Sequence, residues 1–153
     1  MQEATIVYPV DGDRVLLIRK KRGVGAGLVN GPGGKVEPGE TPREAAVREV
    51  REEIGAPVPT VEKRGELEFV FGDEHFSSVH VYTAPPPAGD PEETPEADPF
   101  WAPLDAVPYE EMWADDRYWL PHVLADRPVR GWFRFDADGD DLRGWTVETD
   151  VHL

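Results

Sequence analysis

Apolar residues recur at helical spacing in one segment of the chain, and the residues around that segment suit the two ends of a helix. Thr41 is a favourable N-cap, and Glu44 completes a capping box three residues later. Pro42 fits the first helical position, and Gly55 stands where a left-handed residue often ends a helix. The pattern therefore predicts a helix from about Pro42 to about Ile54. Its apolar stripe consists of Ala46, Val47, Val50 and Ile54.

Elsewhere, polar and apolar residues alternate over short runs, which is typical of strands. Asp-Gly-Asp tripeptides at positions 11–13 and 138–140 are hairpin-turn signals between such runs. Strands with two helices between them predict a single α/β domain over residues 1–153, built as a sandwich around a mixed sheet. We expect strands at Thr5–Val10, Arg14–Arg19, Val61–Phe71, Ser77–Thr83, Phe100–Leu104, Gly131–Asp136 and Arg143–Val151.

The remaining segments are rich in residues that bend or break the chain. Glycines recur from Gly23 to Gly34 and predict a loop whose backbone can approach a ligand closely. The segment Pro85–Pro99 is polar and contains six prolines, so we expect a surface loop without helix or strand. The segment Val107–Ala125 is expected to hold turns and a second helix that is interrupted near Pro121.

The first predicted helix also carries three carboxylates on one face. Glu49, Glu52 and Glu53 are neighbours because residues three and four apart lie side by side on a helix. A solvated acidic face is one interpretation of this cluster. Its position near the helix C-terminus favours another, because the helix dipole disfavours anions there and a cation would offset the repulsion. Carboxylate oxygens in this arrangement suit a hard divalent ion such as Mg²⁺.

Composition narrows the class of protein. The chain has no cysteine, which excludes a disulfide framework and a thiolate site. It lacks a signal-peptide pattern at its start and any apolar run of membrane-spanning length, so we expect a cytoplasmic protein without a membrane partner. With 31 acidic against 16 basic residues and a net charge of −15, it is not expected to bind long nucleic acid.

The charge also suggests an environment. Arginine outnumbers lysine by 12 to 4 among the basic residues. We hypothesise adaptation to high intracellular salt, a halophilic setting in which screening suppresses the repulsion between acidic residues. An ordinary acidic protein is the alternative. The sequence favours neither a monomer nor a homodimer.

The segment Gly34–Ala56 carries a motif as well as a helix. Gly34 is followed after five residues by Glu40, and after seven more by the run REVREEIGA at Arg48–Ala56. This spacing resembles the Nudix box at every defining position. Further segments resemble the animal-type branch of the MutT-like Nudix hydrolases, the oxidised purine nucleoside triphosphate hydrolases or 8-oxo-dGTP diphosphatases. These segments are Lys20–Val36, Ser78–Tyr82, Met112–Pro121 and Gly131–Phe135.

The resemblance implies a Nudix α/β/α sandwich and an enzyme that uses Mg²⁺, or alternatively Mn²⁺, to cleave a nucleoside triphosphate into a monophosphate and pyrophosphate. Arg48 is expected to pair with a box carboxylate, and Glu40 to hold the loop. One of Glu52, Glu53 and the distal Glu96 is expected to orient or deprotonate the attacking water. The implied metal ligands are Glu49, Glu52, Glu53, Glu96 and the backbone carbonyl of Gly33.

The resemblance also implies which residues bind the substrate. Lys20 is expected to contact phosphate, with Lys35 as a weaker candidate and a solvated side chain as the alternative for both. Asp115 and Asp116, if both enter a pocket, should share one proton and so present a donor beside acceptors to a purine edge. The alternative is that one of them caps a helix. The expected base-binding residues are Asn30, Asp115 and Asp116, with Trp113 for stacking. Thr5 and Phe69 align with pocket-lining positions, and the alternative for both is that they are ordinary core residues of strands.

Two residues depart from the family pattern. Val24 and Pro32 each stand where the family usually has an aromatic residue, which leaves the preference among oxidised purines open. Two other functions also stay open: hydrolysis of another nucleoside diphosphate derivative, such as a dinucleotide or nucleotide sugar, and a non-catalytic nucleotide-binding module. The module is the least favoured, because the box has kept all its acids.

Overall fold

Nine strands and two α-helices form the part of the chain that the computed structural model describes, residues 2–23 and 25–153. A short 3-10 turn at Tyr109–Glu111 precedes the second helix. The strands are β1 (Gln2–Asp11), β2 (Arg14–Lys20), β3 (Val29–Asn30), β4 (Gly33–Lys35), β5 (Glu62–Phe71), β6 (Glu74–Ala84), β7 (Ala97–Pro103), β8 (Val129–Phe135) and β9 (Leu142–Thr149). The helices are α1 (Pro42–Ile54) and α2 (Asp116–Leu124).

The strands form one mixed sheet in the order β3-β2-β1-β6-β5-β8-β9, with β4 paired to β1 and β7 paired to β2. Two pairs are parallel, β1 with β6 and β5 with β8, and the other pairs are antiparallel. The short strand β4 therefore lies beside β1, with Thr5 opposite Gly34 and Ile6 opposite Gly33. This pairing brings the glycines before α1 to the centre of the molecule.

The two helices cover opposite faces of the sheet. Successive side chains of a strand point to opposite faces, and adjacent Val7 and Tyr8 of β1 are both fully buried. Val7 packs in a core with Val50 of α1, whereas Tyr8 packs in a second core with Trp119 of α2. The predicted α/β sandwich with a mixed sheet is confirmed.

The predicted first helix is also confirmed, at both ends. Thr41 accepts a hydrogen bond from the backbone N–H of Glu44, and the Glu44 side chain accepts one from the N–H of Thr41. Gly55 ends α1 in the left-handed region, with a φ of 69°. Local capping chemistry and the apolar stripe agree here, so the prediction needed no tertiary information.

Two predictions that involve proline are wrong. Helix α2 runs through Pro121 without interruption, because only the carbonyl of Arg117 loses its helical donor and Arg117 is exposed to solvent. Strand β7 begins at Ala97 and includes Pro99, which pairs with Ile18 of β2. Among the strands described, β7 pairs with β2 alone, and an edge strand tolerates a residue without an N–H.

The predicted glycine loop is also more regular than expected. It contains the two short strands β3 and β4, which pair with β2 and β1. In the residues that the structure describes, no helix is long and apolar enough to cross a membrane.

Candidate active site

The carboxylates of helix α1 lie close to the glycines of β4. A Cβ at Gly34 would lie 2.5 Å from the carboxyl carbon of Glu49. A Cβ at Gly33 would lie 2.0 Å from the carbonyl oxygen of Thr5 in β1. Position 33 therefore requires glycine because the β1 backbone leaves no room for a Cβ, whereas a Cβ at position 34 would displace the Glu49 carboxylate.

Arg48 organises the carboxylates around it. Its Nε and Nη2 donate to the two carboxylate oxygens of Glu40, at 2.6 and 2.8 Å. Its Nη1 donates to Glu49 at 2.7 Å and to Glu52 at 3.2 Å. Glu40 in turn accepts a hydrogen bond from the backbone N–H of Glu37 at 3.0 Å. These contacts, the Arg48 guanidinium foremost, lower the pKa of Glu40 to about 2. The pairing of Arg48 with a box carboxylate is present as expected.

Glu53 is the buried acid of this group. It is only 7% exposed, and its Oε1 accepts a hydrogen bond from the backbone N–H of Gly33 at 3.3 Å. Its Oε2 is buried and has no hydrogen-bond partner in the described chain. Burial raises the pKa of Glu53 to about 7, and burial also raises the pKa of Glu49. A buried carboxylate in this state requires either a proton or a cation.

The proline-rich segment brings a fourth acid to this place. Thr94 Oγ1 donates to the backbone carbonyl of Glu53 at 2.8 Å, and the N–H of Glu92 donates to the carbonyl of Ile54 at 2.7 Å. These bonds attach the segment to the C-terminal end of α1, so this surface segment packs against the helix although it is polar and rich in proline. Glu96 then lies at the pocket, where Arg22 donates to its carboxylate and lowers its pKa.

These acids surround one pocket of about 500 Å³. Its lining comprises Arg22, Glu49, Glu52, Glu53, Pro95 and Glu96. No three acidic or histidine side chains in the described chain already stand in a coordination geometry. The residues nonetheless fit a hard divalent cation, because the donors are carboxylate oxygens and one of them, Glu53 Oε2, is buried without a partner.

A second cavity of about 470 Å³ lies beside this pocket. We call it the aromatic cavity, because six of its lining residues are aromatic: Phe69, Phe71, Phe76, Trp113, Trp119 and Phe135. Gly34 lines it and also touches Glu49, so the cavity and the acidic pocket meet at Gly34. Six predicted substrate-binding residues line the cavity: Lys20, Asn30, Phe69, Trp113, Asp115 and Asp116. Lys35 lines it too, and neither of the two lysines has an ion-pair partner in the described residues.

Asp115 and Asp116 are both buried at the cavity, with exposures of 2% and 4%. Trp119 Nε1 donates to Asp115 Oδ2 at 2.8 Å. Asp115 is the N-cap residue of α2, yet its side chain makes no capping hydrogen bond. The capping alternative is therefore wrong for Asp115. Burial, reinforced by the neighbouring carboxylate, raises the pKa of Asp116 well above its ordinary value, and burial raises that of Asp115. Burial therefore favours the protonated form of Asp116, beside an Asp115 carboxyl that accepts the Trp119 hydrogen bond.

One predicted lining residue lies elsewhere. Thr5 is 1% exposed, and its Oγ1 donates to the carbonyl of Gly34 at 3.3 Å, so it holds β4 and does not face the cavity. Other contributors were missed from the sequence. Arg22 belongs to the basic run Lys20–Arg22 and Thr94 to the polar proline-rich segment, and neither context signals a contact with the acidic pocket. The aromatic lining residues missed were Phe71, Phe76, Trp119 and Phe135, whose only sequence signal was their alternation along strands or spacing along a helix.

Comparison with known proteins decides the family. The family model described as the NUDIX domain matches residues 1–123. The chain belongs to the NUDIX domain family. The oxidized purine nucleoside triphosphate hydrolase of Danio rerio is 45% identical over 134 residues, which cover 87% of this chain and 86% of that protein. The protein of the same name from Mus musculus is 41% identical over 144 residues, which cover 94% and 92%.

Solved structures agree with this assignment. The crystal structure of a MutT protein from Bacillus halodurans superposes with a TM-score of 0.85 at 32% identity, covering 97% of this chain and 98% of that one. The expected family and fold are thus confirmed. Nudix hydrolases generally use a divalent metal ion, typically Mg²⁺.

The two departures from the NUDIX pattern differ in what the structure says of them. Pro32 is buried, and its carbonyl accepts a hydrogen bond from the N–H of Val7 at 2.8 Å. It is not among the described residues that line the cavity. Val24 lies outside the described residues.

Proposed function

We propose that this chain hydrolyses oxidised purine nucleoside triphosphates such as 8-oxo-dGTP to the monophosphate and pyrophosphate, and so removes damaged purines from the nucleotide pool. The observation that carries the proposal is the junction of two different sites at Gly34. A nucleotide across this junction would have its base between aromatic walls and its phosphates beside the carboxylates. The names of the relatives from Danio rerio and Mus musculus support the same substrate class.

The acidic pocket would carry the reaction. Glu49, Glu52, Glu53, Glu96 and the carbonyl of Gly33 would hold Mg²⁺ or Mn²⁺, which supplies charge neutralisation and an activated water when bound. Arg48 holds the carboxylates of Glu49 and Glu52 in fixed orientations. Glu52, Glu53 and Glu96 stay the three candidates for the general base, because the pKa of about 7 belongs to Glu53 without a metal and a bound cation would lower it.

The aromatic cavity would carry the choice of substrate. A protonated Asp116 offers a donor, and Asp115 offers acceptors, so the pair can match the edge of a purine. Exchange of the proton between them would let one pocket accept differently modified purines. Lys20 and Lys35 would contact phosphate, since both line the cavity without an ion-pair partner in the described chain.

A panel of nucleotides tests the proposal. Phosphate is measured with malachite green after inorganic pyrophosphatase, in Mg²⁺, for 8-oxo-dGTP, other modified purine triphosphates and unmodified triphosphates. A dinucleotide and a nucleotide sugar are added, with alkaline phosphatase to release phosphate from their products. We expect 8-oxo-dGTP or another modified purine to give the highest kcat/KM. Preference for the dinucleotide or nucleotide sugar would replace the substrate class, and no turnover at all would leave a binding module.

Two variants separate the parts of the proposal. Glu52→Gln should reduce turnover on every nucleotide by 100-fold or more, roughly the effect of losing a charge-stabilising group in a closed site. Its side chain is exposed, so the metal-free protein should melt as the wild type does, and the stabilisation that Mg²⁺ gives should shrink. Asp115→Asn should instead change the ranking among modified purines. Near-normal turnover by Glu52→Gln would reject the proposed metal ligands.

We also place the reaction in the cytoplasm, where nucleoside triphosphates are free in solution. The net charge of −15 would repel the backbone of a long nucleic acid, whereas the phosphates of a single nucleotide can be met by lysine and metal.

A further inference from the structure

Arg19, at the end of β2, joins two segments that are distant in sequence. Its Nη1 donates to the backbone carbonyl of Gly27 at 3.0 Å, and its Nη2 donates to Glu111 Oε1 at 2.7 Å. Gly27 belongs to the glycine segment, and Glu111 ends the 3-10 turn before α2. The planar guanidinium makes both contacts at once, which fixes the distance between the two segments.

Both of these segments form walls of the aromatic cavity. Gly23 of the glycine segment and Trp113, two residues after Glu111, each line it. Gly25 lies against the Trp113 ring, because a Cβ at position 25 would come within 3.1 Å of Trp113 Nε1. The two walls therefore touch directly, in addition to the tie that Arg19 makes between them.

The glycine segment needs contacts from the rest of the chain to hold it in one conformation. Gly23, Gly25 and Gly27 have φ values of 83°, 81° and 89°, in the region that favours glycine. Glycine loses more conformational freedom on ordering than any other residue, so a segment built from it has many competing conformations. Ordering it before the ligand arrives removes that entropy from the free energy of binding.

We propose that Arg19 is a positioning residue for the aromatic cavity: it holds the glycine segment against the Trp113 wall, so that both keep the positions that bound the purine site. This inference rests on the proposed function, because it takes the ligand to be a purine nucleotide. Arg19 does not line the acidic pocket, and Arg48 orients the carboxylates there independently. Loss of Arg19 should therefore weaken binding of the nucleotide and leave the chemical step unchanged.

The test compares Arg19→Gln and Glu111→Gln with Arg14→Gln. Arg14 is the matched control, since it lies on the same strand and pairs with Asp11 at 3.0 Å, with exposures of 47% and 46% against 45% and 45% for Arg19 and Glu111. Titration calorimetry with 8-oxo-dGMP gives Kd without turnover, and initial rates with 8-oxo-dGTP give KM and kcat. The double variant Arg19→Gln with Glu111→Gln completes the set.

We expect Arg19→Gln to raise Kd and KM about fivefold with kcat within about twofold of wild type, and Arg14→Gln to change none of them. The double variant should bind no more weakly than Arg19→Gln, because both substitutions break one shared contact. Arg19→Lys, which can still donate to both oxygens, should recover part of the affinity.

Three results would overturn the inference. Equal Kd for Arg19→Gln and wild type would show that the contact does not position the cavity. A fall in kcat with unchanged KM would show that Arg19 acts on the chemical step or on the folded fraction. Absence of 8-oxo-dGMP binding by the wild-type chain would reject the purine assignment and this inference together, whereas the first two results leave the proposed function intact.

Discussion

Arg48 binds both carboxylate oxygens of Glu40, at 2.6 and 2.8 Å, from eight residues further along the chain. The pair joins the loop before α1 to the middle of that helix and leaves Nη1 of Arg48 to hold Glu49 and Glu52. Glu40 does not line the acidic pocket, yet the orientation of the acids that do depends on it. Both partners are largely shielded from solvent, which makes the pair stronger than a surface ion pair.

The first prediction concerns the contacts that run from Glu40 through Arg48 to Glu49 and Glu52. Glu40→Gln should lower kcat about tenfold, because an amide cannot hold the guanidinium with two charged bonds and the Glu49 rotamer loosens. KM should change little, since the aromatic cavity is built from other residues. Steady-state kinetics with 8-oxo-dGTP provide the measurement. Asp150→Asn is the control, because Asp150 makes a two-bonded pair with Arg127 that is exposed and remote from the pocket.

The same substitution has a pH signature in stability. The folded pKa of Glu40, about 2, lies below its ordinary value of 4.5, so the paired carboxylate stabilises the fold above about pH 4.5 and this contribution is lost as the pH falls towards 2. Unfolding temperatures of wild type and Glu40→Gln should therefore differ at pH 7, and the difference should shrink as the pH falls from about 4.5 towards 2. A pH-independent difference would mean that the substitution changes the loop itself.

The second prediction uses the close approach at Gly34. Gly34→Ala would place a methyl group 2.5 Å from the Glu49 carboxyl carbon, so the carboxylate must move, and kcat should fall by roughly 100-fold. Gly144→Ala is the matched control, because a Cβ there meets nothing within 4 Å and its φ needs no glycine. Unfolding temperatures of both variants should stay near wild type. Full activity in Gly34→Ala would show that the position of Glu49 is not critical.

More of the acidic pocket could be predicted from the sequence than of the segments that pack around it. Helix α1 could be predicted to the residue because Thr41, Glu44 and Gly55 act through local backbone contacts. The docking of the proline-rich segment could not, since Thr94 reaches the carbonyl of Glu53 across 41 residues. Contacts of that range depend on the folded sheet and leave no periodic signal in the chain.

The aromatic cavity could likewise be predicted only in part from the sequence. The pairing of Asp115 and Asp116 suggested either base recognition or a helix cap, and the residues alone could not choose. The structure rejects the cap for Asp115 because its carboxylate accepts a hydrogen bond from Trp119 and makes no capping bond to the first turn of α2. Thr5 was placed in the cavity by resemblance, but its strand turns the hydroxyl towards Gly34. A one-residue change of face is invisible without the strand register.

The third prediction tests the proton on Asp116. Burial holds the folded pKa of Asp116 well above the ordinary 3.8, so ionisation of the unfolded chain destabilises the fold as the pH rises above about 4. Asp116→Asn removes this term, and its unfolding temperature should exceed that of wild type by a margin that grows from pH 4 to pH 8. Leu124→Ala, at the other end of the same helix, should instead destabilise α2 without this dependence on pH. A constant margin for Asp116→Asn would mean that the carboxyl is ionised in the folded protein.

The fourth prediction tests the hypothesis of salt adaptation. With a net charge of −15, repulsion should destabilise the fold at low ionic strength, and the unfolding temperature should rise with KCl. Simple screening is nearly complete at about 0.15 M, where the Debye length is about 8 Å, so only a rise that continues to molar KCl indicates adaptation. A variant with Asp73, Asp90 and Asp105 changed to Asn removes three exposed negative charges and should show a shallower rise. A rise that levels off near about 0.15 M, or equal stability and activity from low salt to molar KCl, would identify an ordinary acidic enzyme.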